Sequence, residues 1–128
     1  MYHYHFHVNI FAAPPAESFA VTWEDAATML APLPRLIFEP DGSFVVSGEV
    51  GTDRWQVDGH LFDFAGRLHR VELHGQCPPE VCDELLRCVG WPQQPLLFEI
   101  VREGVAVDEQ EFRRRAGAGA GAEDGPAR

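Results

Sequence analysis

Residues 2–10 alternate strictly between two kinds of side chain. One set is aromatic or aliphatic, and the other set is histidine with one asparagine. Successive side chains of an extended strand point to opposite faces, so the pattern predicts a β-strand with one face in a core and a histidine-bearing face behind it. The apolar set comprises Tyr2, Tyr4, Phe6, Val8 and Ile10, and the polar set comprises His3, His5, His7 and Asn9.

Histidines at alternate strand positions raise the question of a metal site. Neighbouring members of the set His3, His5 and His7 project to the same side about 7 Å apart, which allows two imidazoles to reach one zinc ion. The outer two are about 13 Å apart along the strand, too far to share that ion. A further ligand would have to come from His60, His74 or a carboxylate of a neighbouring strand. Because the string lacks the spacing of known zinc motifs, we favour a histidine-bearing strand surface that faces solvent.

The charge of the chain narrows the classes of partner. The formal net charge is −10, and all 10 basic residues are arginine. Nucleic-acid binders need a basic face, so this balance argues against a nucleic-acid partner and favours a basic protein partner. The exception is the run Arg113 to Arg115, which we interpret as the solvated end of a helix, where cations complement the dipole.

Apolar patterning and cysteine usage indicate a cytoplasmic protein that does not enter a membrane. No apolar run approaches the roughly 18 residues that span a bilayer, and the first residues lack the basic and apolar regions of a secretory signal. The three cysteines are Cys77, Cys82 and Cys88, an odd number without metal-binding spacing. We expect them to be reduced thiols.

Helix signals occur at three places in the chain. Thr22 is a predicted N-cap, and apolar residues recur at helical spacing after it until Pro32 ends the helix. Pro79 suits the first turn of a second helix, and Gly90 suits its end. Asp108 predicts the start of a brief third helix.

Strand signals occupy most of the remaining chain. Leu68–His74 alternates so that Arg70, Glu72 and His74 share one face. Residues 54–64 predict one strand with a bulge at Asp58–Gly59. Because the strands are joined by hairpins, we predict an α+β fold with a mostly antiparallel five- or six-stranded sheet, two helices on one face and a short C-terminal helix. We predict that residues 1–115 form this single domain and that residues 116–128 form a flexible Gly/Ala-rich tail.

Candidates for catalysis are few. Cys77 lies at the start of the predicted second helix and three residues after His74. A helix N-terminus activates a thiol, and histidine serves as its base. Nothing in the sequence supplies an orienting third group or an oxyanion site, so this pair is a weak catalytic candidate and we expect no enzyme.

The sequence therefore predicts a small, non-catalytic protein-binding or accessory domain without a cofactor. The alternative is a zinc-binding protein or hydrolase that uses His3, His5 and His7 on the first strand. The identity of the partner and the oligomeric state stay open.

Overall fold

Seven strands form a single antiparallel sheet in the order β2-β3-β4-β5-β1-β6-β7. The computed structural model describes residues 2–124, with side chains described as far as residue 118. The elements along the chain are β1 (Tyr4–Ala12), α1 (Trp23–Leu30), β2 (Leu36–Phe38), β3 (Ser43–Val50), β4 (Asp53–Phe64), β5 (Arg67–Cys77), α2 (Pro79–Arg87), β6 (Leu96–Ile100), β7 (Val105–Val107) and α3 (Glu109–Asp124).

The first strand lies inside the sheet, between β5 and β6. Val8 is opposite Leu73 on one side and Ile100 on the other. The apolar set of β1 faces the core as the alternation predicts, because Val8 and Ile10 are fully buried and Phe6 packs against the core. Tyr2 differs: it precedes the strand, and 57% of its surface is exposed.

All three helices cover the same face of the sheet. The last helix, α3, is held on the sheet by Phe112, whose ring stacks on Phe98 of β6 with the centroids 4.3 Å apart. The edges of Tyr4 and Phe6 of β1 meet the same ring at 6.4 and 5.8 Å. Burial of this aromatic cluster therefore fixes α3 across β1 and β6.

The arginine run Arg113 to Arg115, which is predicted to face solvent, forms ion pairs. Arg113 pairs with Asp83 of α2 and with Glu109 of its own helix, each at 2.8 Å. Arg115 pairs with Glu111 at 2.7 Å, four residues earlier. These contacts connect α3 to α2 and stabilise the first turns of α3.

The predicted N-cap of α1 is present. The Thr22 hydroxyl accepts a hydrogen bond from the backbone N–H of Asp25 at 3.0 Å. The adjacent indole of Trp23 donates to the Leu61 carbonyl of β4 at 3.2 Å. Together the two bonds fix the start of α1 over the sheet.

The sheet is larger and the last helix longer than the sequence predicts. Seven strands join one sheet where five or six are expected, because both three-residue strands, β2 and β7, pair as edges. The terminal helix is not short, since α3 runs from Glu109 to Asp124 across the predicted boundary at residue 115, and Ala116 is buried. Extending an existing helix costs less than starting one, and alanine is the best helix former. Residues 125–128 of the predicted tail lie outside the described residues.

The bulge in β4 also differs from its predicted position. The register shifts between Phe62 and Asp63, while the pairing runs regularly through Asp58–Gly59. Gly59 instead lies directly opposite Phe44, and a Cβ there would be 2.1 Å from the Phe44 ring. Position 59 therefore requires glycine because the Phe44 ring packs over it, and not because the strand bulges there.

We predict that replacing Phe112 with alanine lowers the free energy of unfolding by about 3–5 kcal/mol, because it empties the centre of the aromatic cluster. Phe64→Ala is the matched control: Phe64 is 72% exposed, and we expect a change within about 0.5 kcal/mol. Denaturant unfolding followed by circular dichroism measures both. Equal effects of the two substitutions would contradict the packing of α3 described here.

Candidate functional site

The candidate site is the face of the sheet opposite the helices, which we call the open face. Within residues 2–124 no helix packs on it. The strand register arranges its side chains in rows that cross the sheet. His7 of β1 lies beside His74 of β5, and Asn9 lies between Glu72 of β5 and Glu99 of β6.

Hydrogen bonds join these side chains across three strands. His7 Nε2 lies 2.7 Å from a carboxylate oxygen of Glu72. Asn9 donates to Glu99 at 2.9 Å and accepts from Arg70 at 2.9 Å. The polar centre of the open face is thus held in one arrangement by its own contacts.

Ring stacking orders the rest of the open face. The imidazoles of His7 and His74 are 4.1 Å apart and nearly parallel. Phe62 stacks on His60 at 4.1 Å, and the guanidinium of Arg70 lies 3.8 Å above the Phe62 ring. A cation over an aromatic ring is attracted by its negative face. The face therefore presents flat aromatic surface beside charged groups.

Acidic groups predominate on this surface when the histidines are neutral. Four carboxylates extend from its strands, against the guanidinium groups of Arg54 and Arg70. Four of the six histidines of the chain share the face, so protonation reverses the sign of its charge. The carboxylates belong to Glu49, Asp58, Glu72 and Glu99, and the histidines are His5, His7, His60 and His74.

The structure separates His3 from the other histidines of the N-terminal set. His5 and His7 lie on the open face, whereas only 5% of His3 is exposed and its Nε2 is 3.4 Å from a carboxylate oxygen of Asp53 in β4. His3 precedes the first residue of β1, so strand alternation does not determine where its ring lies. Among the described residues, no group of three or more His, Cys, Asp or Glu side chains is placed to hold a metal ion.

The candidate catalytic pair is not brought together either. Cys77 is fully buried on the helix side of β5, and His74 is exposed on the open face. Burial raises the pKa of the Cys77 thiol, and the nearby Cys82 adds to the rise. Burial likewise raises the pKa of Cys82 to about 12 and that of Cys88 to about 11. All three cysteines are free thiols in buried positions.

Some residues of the open face are predictable from sequence and others are not. Alternation alone places Arg70, Glu72 and His74 together. It gives no sign that Asn9 and Glu99 meet them, because that contact depends on the pairing of β1 with strands far along the chain.

Comparison with protein-family models, with curated proteins and with solved structures gave no match in any of the three. The functional argument therefore rests on the geometry of the chain itself. Of the helices in the described part of the chain, none has the length and apolar character needed to cross a membrane.

We predict different costs for replacing His3 and His5 with threonine, a good strand former. His3→Thr removes a buried ring beside Asp53 and should lower the free energy of unfolding by about 1–3 kcal/mol. His5→Thr alters the open face and should change it by no more than about 0.5 kcal/mol. Thermal and urea unfolding of the two variants test this contrast, and a tolerated His3→Thr would show that its burial contributes little.

We also predict that the three thiols resist alkylation in the folded protein, because the thiolate is the reactive species and burial disfavours it. Iodoacetamide at pH 8, followed by intact-mass analysis, should leave native protein unlabelled and add three groups after denaturation. Rapid labelling of Cys77 in native protein would revive it as a nucleophile.

Proposed function

We propose that this chain is a small, non-catalytic protein-binding or accessory domain that binds a basic segment of a partner protein on its open face. The observation that carries the proposal is the ordered network of charged and aromatic side chains, from Phe62 on β4 to Glu99 on β6, on a face that no described helix covers.

Order in the free protein supports a binding role. Fixing flexible side chains at an interface costs free energy, and a surface that is already ordered avoids part of that cost. Arg70 and Glu72 are held by neighbours before any partner arrives. Aromatic and arginine side chains are also the types that contribute most at protein interfaces.

Charge selects the class of partner. Asp58, Glu72 and Glu99 give the open face a negative balance, and the chain as a whole carries −10. Opposite charge accelerates encounter and disfavours acidic competitors. A segment rich in arginine or lysine has the complementary charge.

Histidine makes this complementarity depend on pH. Between pH 7.5 and 5.5, histidine side chains in general gain positive charge. On the open face these are His5 and His7 of β1, His60 of β4 and His74 of β5. They share the face with the carboxylates of Glu49, Asp58, Glu72 and Glu99 and with the guanidinium groups of Arg54 and Arg70. Added positive charge weakens attraction for a basic partner, so we expect affinity to fall as the pH falls.

A charge-matched pair of triple variants tests the proposal. The first carries Asp58→Asn, Glu72→Gln and Glu99→Gln on the open face. The control carries Glu17→Gln, Glu24→Gln and Glu80→Gln at exposed positions outside the strands, the last two on helices α1 and α2. The two variants have the same net charge. The probe is a fluorescein-labelled nona-arginine peptide, with binding followed by anisotropy and mapped by amide chemical shifts.

We expect the open-face variant to bind the probe about tenfold more weakly than the control, with shifts concentrated in β4, β5 and β1 and affinity falling toward pH 5.5. Equal binding by the two variants, or shifts spread over the helix side, would refute the proposal. Stoichiometric zinc that is lost in His5→Thr would instead support the alternative of a metal protein.

A further inference from the structure

In the described part of the chain, the second half of β3 has an unpaired edge. β2 pairs only with residues 44–46 of β3, and the last backbone bond on that side is from the Ser47 N–H to the Arg35 carbonyl at 3.4 Å. Backbone groups alternate in direction along an antiparallel strand, so the N–H and carbonyl of Glu49 face the same side. No strand within residues 2–124 pairs with this edge beyond Ser47.

The conformation of Arg35 explains why the edge is free. Its φ is +64°, in the left-handed region that side-chain-bearing residues rarely adopt. Arg35 is the third residue of a tight turn in which the Leu36 N–H donates to the Leu33 carbonyl. The segment before Arg35 therefore turns away from β3, and only Leu36–Phe38 runs beside it. The exposed guanidinium of Arg35 forms no ion pair or hydrogen bond with the described part of the chain.

An apolar cavity of about 140 Å³ opens beside this edge on the helix face. Trp55 forms one wall, and its indole lies over Gly48, where a Cβ would be only 2.3 Å from the ring. A cavity of about 150 Å³ holds a benzene molecule, so this one suits a single leucine- or phenyl-sized side chain. Its apolar lining comprises Leu33, Pro34, Val46, Trp55, Val81 and Leu85.

A polar cleft of about 390 Å³ lies at the same edge, on the opposite side of the sheet. Arg35 and Arg54 are its cationic groups. Arg54 is 3.5 Å from Glu49, whereas Arg35 has no counter-ion among the described residues. An acidic side chain is the group that this position can accept.

We propose that the edge of β3 binds an extended peptide of a partner protein by strand addition. Side chains of an added strand alternate between the two faces, so a bulky apolar residue enters the cavity while its acidic neighbour reaches Arg35. Glu49 supplies the backbone donor and acceptor. This site lies apart from the charged centre of the open face and does not depend on the basic partner proposed above.

Two variants of Glu49 test the backbone pairing. Glu49→Pro removes the N–H from the free edge, a position at which strands tolerate proline. Glu49→Gln removes the same charge and keeps the N–H. The probe is a fluorescein-labelled peptide of sequence Thr-Glu-Leu-Glu-Thr-Val, titrated by anisotropy. We expect Glu49→Pro to weaken binding about tenfold and Glu49→Gln to leave it within about twofold of wild type.

Two further variants test the side-chain contacts. Val81→Phe fills the cavity, and we expect it to weaken binding about tenfold. Replacing the leucine of the probe with glycine should weaken binding by a similar factor. Arg35→Gly suits the left-handed backbone, so the fold is kept. This variant should lose the preference of wild type for the glutamate probe over a glutamine version.

Three outcomes overturn the proposal. The first is no binding up to about 1 mM peptide. The second is equal affinity of the two Glu49 variants. The third is self-association of the chain that Glu49→Pro abolishes, since a second copy would then occupy the edge. If Glu49→Pro does not fold, a peptide methylated at the nitrogens of the leucine and both glutamates replaces it, which removes the bonding N–H in either strand direction. Undiminished binding of this peptide overturns the proposal. Peptide binding should survive the open-face triple variant, which keeps failure of the two proposals distinguishable.

Discussion

The backbone pairing of β1 with both β5 and β6 is the interaction on which the rest of the structure depends. β1 connects a four-strand unit, β2 to β5, to the two-strand unit of β6 and β7. The same strand carries Tyr4 and Phe6, against which Phe112 holds α3. Without β1 the sheet would separate into two parts, and Phe112 of α3 would lose two of the three aromatic rings that it contacts.

The alternation of apolar and polar side chains along β1 supplies both the core and the open face. Val8 and Ile10 fill the core, while His7 and Asn9, between and beside them, enter the network with Glu72 and Glu99. A shift of one residue in the pairing of β1 would exchange these sets and bury the polar groups. The stability of the core therefore also determines which charges the open face presents.

Sequence predicts the local features of this chain well, because they depend on near neighbours. The strand at the N-terminus, the Thr22 cap and the shared face of Arg70, Glu72 and His74 all follow from spacing. The burial of His3, the seven-strand sheet and the full length of α3 do not. His3 depends on Asp53, and α3 depends on Phe98, so both require the tertiary packing. The separation of Cys77 from His74 does follow from strand alternation, once β5 is seen to continue as far as Cys77.

The central place of β1 has a consequence for how the chain folds. β1 is synthesised before the other strands of the sheet, yet one of its two neighbours, β6, is synthesised only after β2 to β5 and α2. β2 to β5 can pair through local hairpins, and β1 can then pair with β5, which leaves the other edge of β1 and its apolar side uncovered until β6 follows. Contacts between segments distant in sequence slow folding, and such uncovered intermediates aggregate. The apolar side of β1 is therefore covered only once Phe98 and Phe112 have been added.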